Sequence, residues 1–221
     1  MNMKIQKIGI VGSGNIGGAL GILLGKAGYE VLFSSRHPDR LRDLTTVAGP
    51  RSRTGTVAEA VAFGDVVIMS LPLKAMPELG PNIKEALKGK VVIDTSNPYP
   101  ERDGKIAEDA RKDPAGMGVF VARIFPGARI VRAFNTVYYV DLRKTMNKHG
   151  DRIGIPIAGD DEDGVRAAVE LIERAGLDPI VVGGLESSKL FDVGSVVYAT
   201  SASAREIREK LQLGPASTRA A

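Results

Sequence analysis

Neither cysteine nor tryptophan occurs in the 221 residues, aromatic side chains make up only 5%, and there are just two histidines, His37 and His149. The missing cysteine excludes a disulfide framework, a thiolate metal site and a thiol nucleophile, and suits a reducing compartment. No stretch approaches the roughly 18–20 consecutive apolar residues of a membrane-spanning helix. Residues 1–7 lack the apolar core of a signal peptide. A cytoplasmic protein with no membrane partner is therefore expected. Basic residues never cluster in a run of about five or more. The net charge of +4 is accordingly read as cations spread over the surface, a few of them binding a phosphorylated ligand, and not as a nucleic-acid footprint. Neither histidine lies in a recognisable catalytic frame. His37 reads as flanking surface and His149, beside Gly150, as a loop residue. Asp160, Asp161 and Asp163 could suggest a metal. Their place just before the helical pattern at Val165 makes them a helix cap with favourable charge at the positive end of the dipole, so no metal site is expected.

Glycine, by contrast, is abundant, with 26 residues, many at the ends of apolar runs where turns and close backbone approaches need it. Lys7-Ile8-Gly9-Ile10-Val11 is a short apolar run bounded by glycine and reads as a buried strand. A helical segment follows and ends near Gly28, and residues 30–34 read as a second strand, making a right-handed βαβ unit. Helices are predicted over residues 39–47, 57–63 (capped by Thr56), 118–125, 165–175 and 204–211. A broken helix is predicted over 75–87 and a short one over 187–192. Further strands are predicted over 65–70, 91–94, 129–134, 155–158 and 179–182, with Pro156 suggesting an edge. Residues 100–117 are polar and read as a loop. Continuous apolar strands alternating with helices imply a parallel sheet covered on both faces. The fold class is therefore α/β, a Rossmann-type doubly wound, mainly parallel sheet with a small C-terminal α/β lobe. Residues 1–150 are expected to form the dinucleotide-binding domain, 151–213 the lobe that completes the substrate side, and 214–221 a disordered tail.

The sharpest motif is Gly12-Ser13-Gly14-Asn15-Ile16-Gly17, a G-x-G-x-x-G sequence between a strand and a helix, with a second strand about twenty residues on. Gly12 permits the tight turn, Gly14 lets the backbone approach a pyrophosphate, and Gly17 lets helix and strand pack closely. The helix N-terminus then offers unpaired N–H groups and a positive dipole to phosphates. A glycine-rich turn that binds nothing is the alternative, and the flanking elements weigh against it. At the end of the second strand stand Ser34, Ser35 and Arg36, with Arg40 one helical turn later and no carboxylate before Asp39. Hydroxyls and guanidinium groups suit a 2′-phosphate, where a carboxylate would instead bind a free ribose hydroxyl, so the cofactor is read as NADP(H).

Those two motifs, together with Leu71-Pro72, Arg132-Ala133-Phe134-Asn135-Thr136, Ala158-Gly159-Asp160-Asp161 and Gly183-Gly184-Leu185-Glu186, occur in one order. From Lys4 to about Asp192 the chain resembles the NADPH-dependent coenzyme F420 reductases. The resemblance implies hydride transfer between NADP(H) and a flavin or deazaflavin. It implies that Ser13, Gly14, Asn15 and Ile16 hold the pyrophosphate and that Ser35, Arg36 and Arg40 hold the 2′-phosphate. It places Leu71 and Pro72 along the nicotinamide, with Asn97-Pro98 and residues 135–138 near the nicotinamide and the second substrate. It also implies a homodimer. Read without it, Asn97 is equally a turn residue before Pro98, and Asn135 equally a strand-end cap. Two segments depart from the family's pattern: the polar residues 100–117, and residues 193–199, which replace an apolar helix that helps to build the C-terminal lobe. Three rivals stay open. One is a reductase of another small molecule of the β-hydroxyacid or imine-reducing kind, for which about sixty residues after the sheet are few. The others are a non-catalytic NADP(H)-sensing module and a flavin or ferric reductase acting without a membrane part. Hydride chemistry belongs to the cofactors, so no catalytic side chain is assigned.

Overall fold

In the computed structural model, residues 4–145 and 152–214 are described. His149 and residues 215–221, read above as a loop residue and a tail, lie outside them. The first βαβ unit is β1 (Lys7–Val11), α1 (Asn15–Lys26) and β2 (Glu30–Ser34). A 3₁₀ turn over Pro38–Leu41 leads into α2 (Arg42–Ala48), then β3 (Ser52–Gly55) and α3 (Val57–Phe63). Thr56 closes a capping box with Glu59 at the start of α3, satisfying two of the orphan N–H groups at the helix start. Next come β4 (Val66–Met69), α4 (Ala75–Leu87), β5 (Val91–Asp94), α5 (Pro100–Asp103), α6 (Lys105–Lys112), α7 (Gly116–Ile124) and β6 (Arg129–Arg132). The C-terminal part holds α8 (Tyr139–Thr145), β7 (Gly154–Gly159), α9 (Glu162–Arg174), β8 (Asp178–Gly183), a 3₁₀ turn over Leu185–Leu190 and α10 (Ala204–Lys210).

The eight strands form one sheet in the order β3-β2-β1-β4-β5-β6-β7-β8. Every pairing is parallel except β6 with β7. Alternate side chains of the buried strands feed two cores, as a period of two demands. Val66 and Ile68 of β4, with Val91 and Ile93 of β5, pack under α1 and α9 through Leu20, Leu24, Leu171 and Ile172. Val67, Met69 and Val92 face the other way, toward Val61, Met76, Ile83 and Val121 of α3, α4 and α7. A third, small cluster joins Ala158, Ile180, Phe191, Val197 and Ile207 where the C-terminal residues cover β7 and β8. The strand order reverses at β1 and β4, and open α/β sheets bind ligands beyond the carboxyl ends of the strands at such a switch.

Four readings of the sequence need correction. Residues 100–117 are mostly helical, as α5 and α6. The side chains that α6 buries are small, Ala107 and Ala110, and the one that α5 buries is a carboxylate, Asp103, so the helical period carries little apolar signal. Residues 75–87 form one helix, with Pro81 inside it. Proline withholds a single backbone donor there, and the rest of the ladder continues. Pro156 is not on an edge strand, because β7 lies between β6 and β8. Its pairing with β6 extends only over Val131 with Gly159 and Arg132 with Ala158, however, which leaves residue 156 unpaired on that flank. β3 went unread because Ser-Arg-Thr-Gly is a polar edge strand without an apolar run. No helix among the described residues is long and apolar enough to cross a membrane.

Candidate functional site

The fingerprint loop joins β1 to α1 at the switch point. Gly12 has φ +94, a conformation that β-carbon sterics penalise. A Cβ on Gly12 would stand 2.4 Å from the Ser70 carbonyl oxygen, and one on Gly17 2.1 Å from that of Gly12. These two glycines are therefore packing requirements. Gly14 differs, since nothing lies within 4 Å of an added Cβ, and the space in front of it is open. Gly14 is the N-cap of α1, makes no side-chain cap, and no acidic residue occupies the first turn. The Ser13 hydroxyl beside it is buried without a hydrogen-bond partner. An uncapped helix N-terminus next to an orphaned hydroxyl donor is what a phosphate group would satisfy. The residues present fit a dinucleotide pyrophosphate.

At the end of β2, Ser34 does not behave as the sequence suggested. Its side chain is fully buried and donates to the Ile10 carbonyl at 2.7 Å, tying β2 to β1 and leaving nothing for a phosphate. The Ser35 hydroxyl accepts the His37 N–H at 3.0 Å. Arg36 and Arg40 are both exposed, and among the described residues neither pairs with a carboxylate. The strand end thus presents Ser35, Arg36 and Arg40 as a cationic corner.

Beyond the carboxyl ends of β1, β4, β5 and β6 runs a cleft of about 400 Å³. Gly14, Asn15 and Ile16 line one side, and Leu71 and Pro72 follow β4. Asn97 and Asn135 lie on the far side and are joined directly: the Asn97 amide donates to the Asn135 carbonyl oxygen at 2.9 Å. The Asn135 amide donates to the Phe191 carbonyl at 3.0 Å, while its own Oδ1 and the Ser96 hydroxyl are buried without partners. Phe134 lines the same cleft at φ +63, a left-handed conformation costing on the order of 1–3 kcal/mol in a non-glycine residue. Such strain concentrates at binding sites.

Three features of this wall were not read from the sequence. The first is Arg132, fully buried at the end of β6. Its Nη1 donates to Asp94 at 2.6 Å and to the Ser96 carbonyl at 2.8 Å. Its Nε donates to Asp192 at 2.7 Å, and its Nη2 reaches Asn97 at 3.4 Å. Burial opposes the guanidinium charge, but Asp192 and Asp94 outweigh it and raise the group above its ordinary range. The second is Asp192, whose other oxygen accepts the Met117 N–H at 3.0 Å, so that one carboxylate ties the C-terminal segment to both α7 and β6. The third is a tyrosine wall of Tyr99, Tyr138, Tyr139 and Tyr198, with the Tyr99 and Tyr198 hydroxyls hydrogen-bonded to each other. Tyr138 falls within residues 135–138, which the resemblance sets near the second substrate, and Tyr99 stands in Asn-Pro-Tyr-Pro; nothing else in the sequence signals the wall that they form with Tyr139 and Tyr198. Tyr198 lies 99 residues from Tyr99 in the segment that departs from the family's pattern, and only folding brings the two together. The aspartates before α9 also have structural work: Asp161 accepts the Gly164 N–H at 2.7 Å as N-cap, and Asp160 accepts the Leu185 N–H at 2.7 Å.

Comparison with known proteins bears on this geometry. Residues 7–98 match the family model described as NADP oxidoreductase, coenzyme F420-dependent. The F420-dependent NADP reductase of Methanothermobacter marburgensis is 29% identical over 211 residues, 86% of this chain and 88% of that protein. Metalloreductase STEAP3 of Rattus norvegicus is 25% identical over 84% of this chain, which spans only 36% of that longer protein. Among solved structures, a hypothetical protein of Sinorhizobium meliloti superposes with a TM-score of 0.76 at 26% identity, covering 89% of this chain and 94% of the other.

Proposed function

We propose, from the premise that the chain is a divergent relative of the F420-dependent NADP reductases and an NADP-dependent oxidoreductase, that it carries hydride between NADP(H) and a flavin or deazaflavin acceptor. The observation that carries this reading is the composition of one cleft, with the open, uncapped N-terminus of α1 on one side and the tyrosine wall on the other. Ser13, Gly14, Asn15 and Ile16 would hold the pyrophosphate, and Ser35, Arg36 and Arg40 the 2′-phosphate. Leu71 and Pro72 would lie against the nicotinamide, whose carboxamide N–H could satisfy the orphaned Asn135 Oδ1. When bound, NADP(H) supplies the hydride. The chain's own part is to fix the two rings against each other and keep water from between them. The strained Phe134 and the Arg132 network beneath Asn97 hold that wall rigid.

The cofactor half is tested by Arg36→Ala. Loss of a charged hydrogen bond of about 1.5–3 kcal/mol should weaken NADPH binding by roughly ten- to a hundredfold and leave NADH binding unchanged. Titration by cofactor fluorescence reads both, and equal losses would refute the 2′-phosphate assignment. The acceptor half is tested by anaerobic mixing with NADPH and, separately, F420, FMN or riboflavin. Oxidation by flavins alone would make the chain a flavin reductase. Binding without oxidation by any of them would point to another small acceptor or to a sensor.

A further inference from the structure

We infer that the hydrogen-bonded Tyr99–Tyr198 pair is the proton donor of the acceptor side. This rests on reading the cleft as the place of hydride transfer, and it deepens that reading by naming what the acceptor must be. A two-electron reduction of a ring or carbonyl compound needs a proton as well as a hydride, and the cleft has few groups able to give one. No Asp, Glu, His or Lys is among the described residues that line it. Arg102 lines it too, but a guanidinium does not release its proton. It is also committed, donating to the Asn97 carbonyl and to Asp103, each at 2.7 Å. The aliphatic hydroxyls of Ser70, Thr95, Ser96 and Thr136 also line the cleft but are weaker acids than a phenol, which leaves the tyrosines as its general-acid candidates.

Of the four tyrosines, Tyr138 is 56% exposed and Tyr139 sits in the first turn of α8, while a guanidinium lies over the rings of both Tyr139 and Tyr99. Tyr99 and Tyr198 are half-buried and fix each other. Two hydroxyls that share one hydrogen bond use one hydrogen between them, and the second hydrogen is free for a third group. The backbone around Tyr198 is built to hold it there. Ala199 has φ +54 and Ser201 φ +46, conformations that non-glycine residues adopt only when their surroundings over-determine them. The surroundings are the Ser201 hydroxyl, which donates to Asp141 at 2.8 Å, and the Thr200 hydroxyl, which donates to the Val197 carbonyl at 3.0 Å. Burial and then the Tyr99 hydroxyl push the Tyr198 phenol above its ordinary range, so it holds its proton until hydride transfer makes the conjugated atom of the acceptor basic.

The step balances as follows. The C4–H bond of the dihydronicotinamide breaks, and hydrogen with its electron pair bonds to the electrophilic atom of the acceptor. A nitrogen or oxygen conjugated to that atom takes the proton from the phenol O–H. The phenolate recovers a proton through its partner hydroxyl from water. One NADPH, one acceptor and one proton give NADP⁺ and an acceptor with two more hydrogens. The acceptor class is therefore a conjugated compound that takes up a hydride and a proton together (flavin or deazaflavin ring, quinone, carbonyl or imine), and not a metal ion, which takes electrons alone.

The test pairs two acceptors with two variants of the full chain, Tyr198→Phe and Tyr99→Phe. Riboflavin or F420, whichever the unaltered protein reduces, needs a proton with its hydride, whereas the N-methylacridinium cation takes a hydride and no proton. Tyr198→Phe should slow reduction of the first by about a hundredfold or more, the lower range for loss of a positioned acid. Reduction of N-methylacridinium should stay within about twofold, as general acid catalysis has no part in it. Equilibrium titrations with NADPH, and with riboflavin by fluorescence quenching, should be unchanged. Tyr99→Phe should show the same pattern with a smaller loss. Equal slowing with both acceptors, or weakened binding that accounts for the loss, would reduce the pair to wall packing and overturn the proposal. So would full activity with riboflavin or F420. An unaltered protein that reduces none of the three acceptors would refute the flavin or deazaflavin reading of the cleft, and the proposal with it.

Discussion

Gly14→Val is expected to abolish NADP(H) binding and leave the fold intact. At φ −76 and ψ −152, Gly14 is extended backbone outside the left-handed region, and an added Cβ meets no atom within 4 Å. The isopropyl group would stand where a phosphate must come within about 3 Å of the N–H groups at the start of α1. Displacing it removes at least two charge-assisted hydrogen bonds of about 1.5–3 kcal/mol each, a loss in affinity of more than about a hundredfold. NADPH and NADH should suffer alike, since the pyrophosphate is common to both. Fluorescence titration and a thermal melt, run together, read the two halves of the expectation. Gly17→Ala makes the contrast, because its methyl would meet the Gly12 carbonyl at 2.1 Å and should lower stability as well as binding. Unchanged titration of Gly14→Val would remove the pyrophosphate from this loop.

The second large effect belongs to the buried ion network. Arg132→Met leaves Asp94 fully buried, and Asp192 largely so, without their counter-charge. Breaking one side of a buried pair costs about 3–5 kcal/mol, which urea unfolding would show as a lowered midpoint. The deficit should shrink as pH falls. A carboxyl stranded in the interior binds its proton more tightly in the folded than in the unfolded chain, so folding gains as protons become available. Adding Asp94→Asn should restore part of the loss at neutral pH, because the stranded charge and not the missing attraction makes most of the cost. A single-variant midpoint close to that of the unaltered protein would mean that the network contributes little.

How much of this was legible in the sequence follows from how far apart the interacting residues lie. The βαβ fingerprint is local: Gly12, Gly14 and Gly17 fall within one turn, and the apolar run of β1 announces it. The cationic corner of Ser35, Arg36 and Arg40 is local too. Ser34 was misjudged because facing is set by the strand's pleat, and its hydroxyl turns inward to Ile10. Arg132 sat in view within Arg-Ala-Phe-Asn-Thr, yet a lone arginine at a strand end gives no sign that Asp94 and Asp192, 38 and 60 residues away, converge on it. The Tyr99–Tyr198 contact is longer still in sequence, and half of it comes from the segment in which the family's motifs give no guidance. Residues 100–117 look like a loop in the sequence because a helix that buries only alanines, as α6 does, shows a polar pattern.

The account stands most directly on whether a hydride leaves NADPH at this cleft. The measurement is anaerobic incubation of the protein with NADPH deuterated at nicotinamide C4, with F420 or riboflavin as acceptor, followed by mass spectrometry of both products. The account predicts NADP⁺ formed in step with reduced acceptor, a slower rate for the deuterated face than for the undeuterated cofactor, and no reaction with Gly14→Val. NADPH that binds tightly and keeps its deuterium, whichever acceptor is offered, would contradict it.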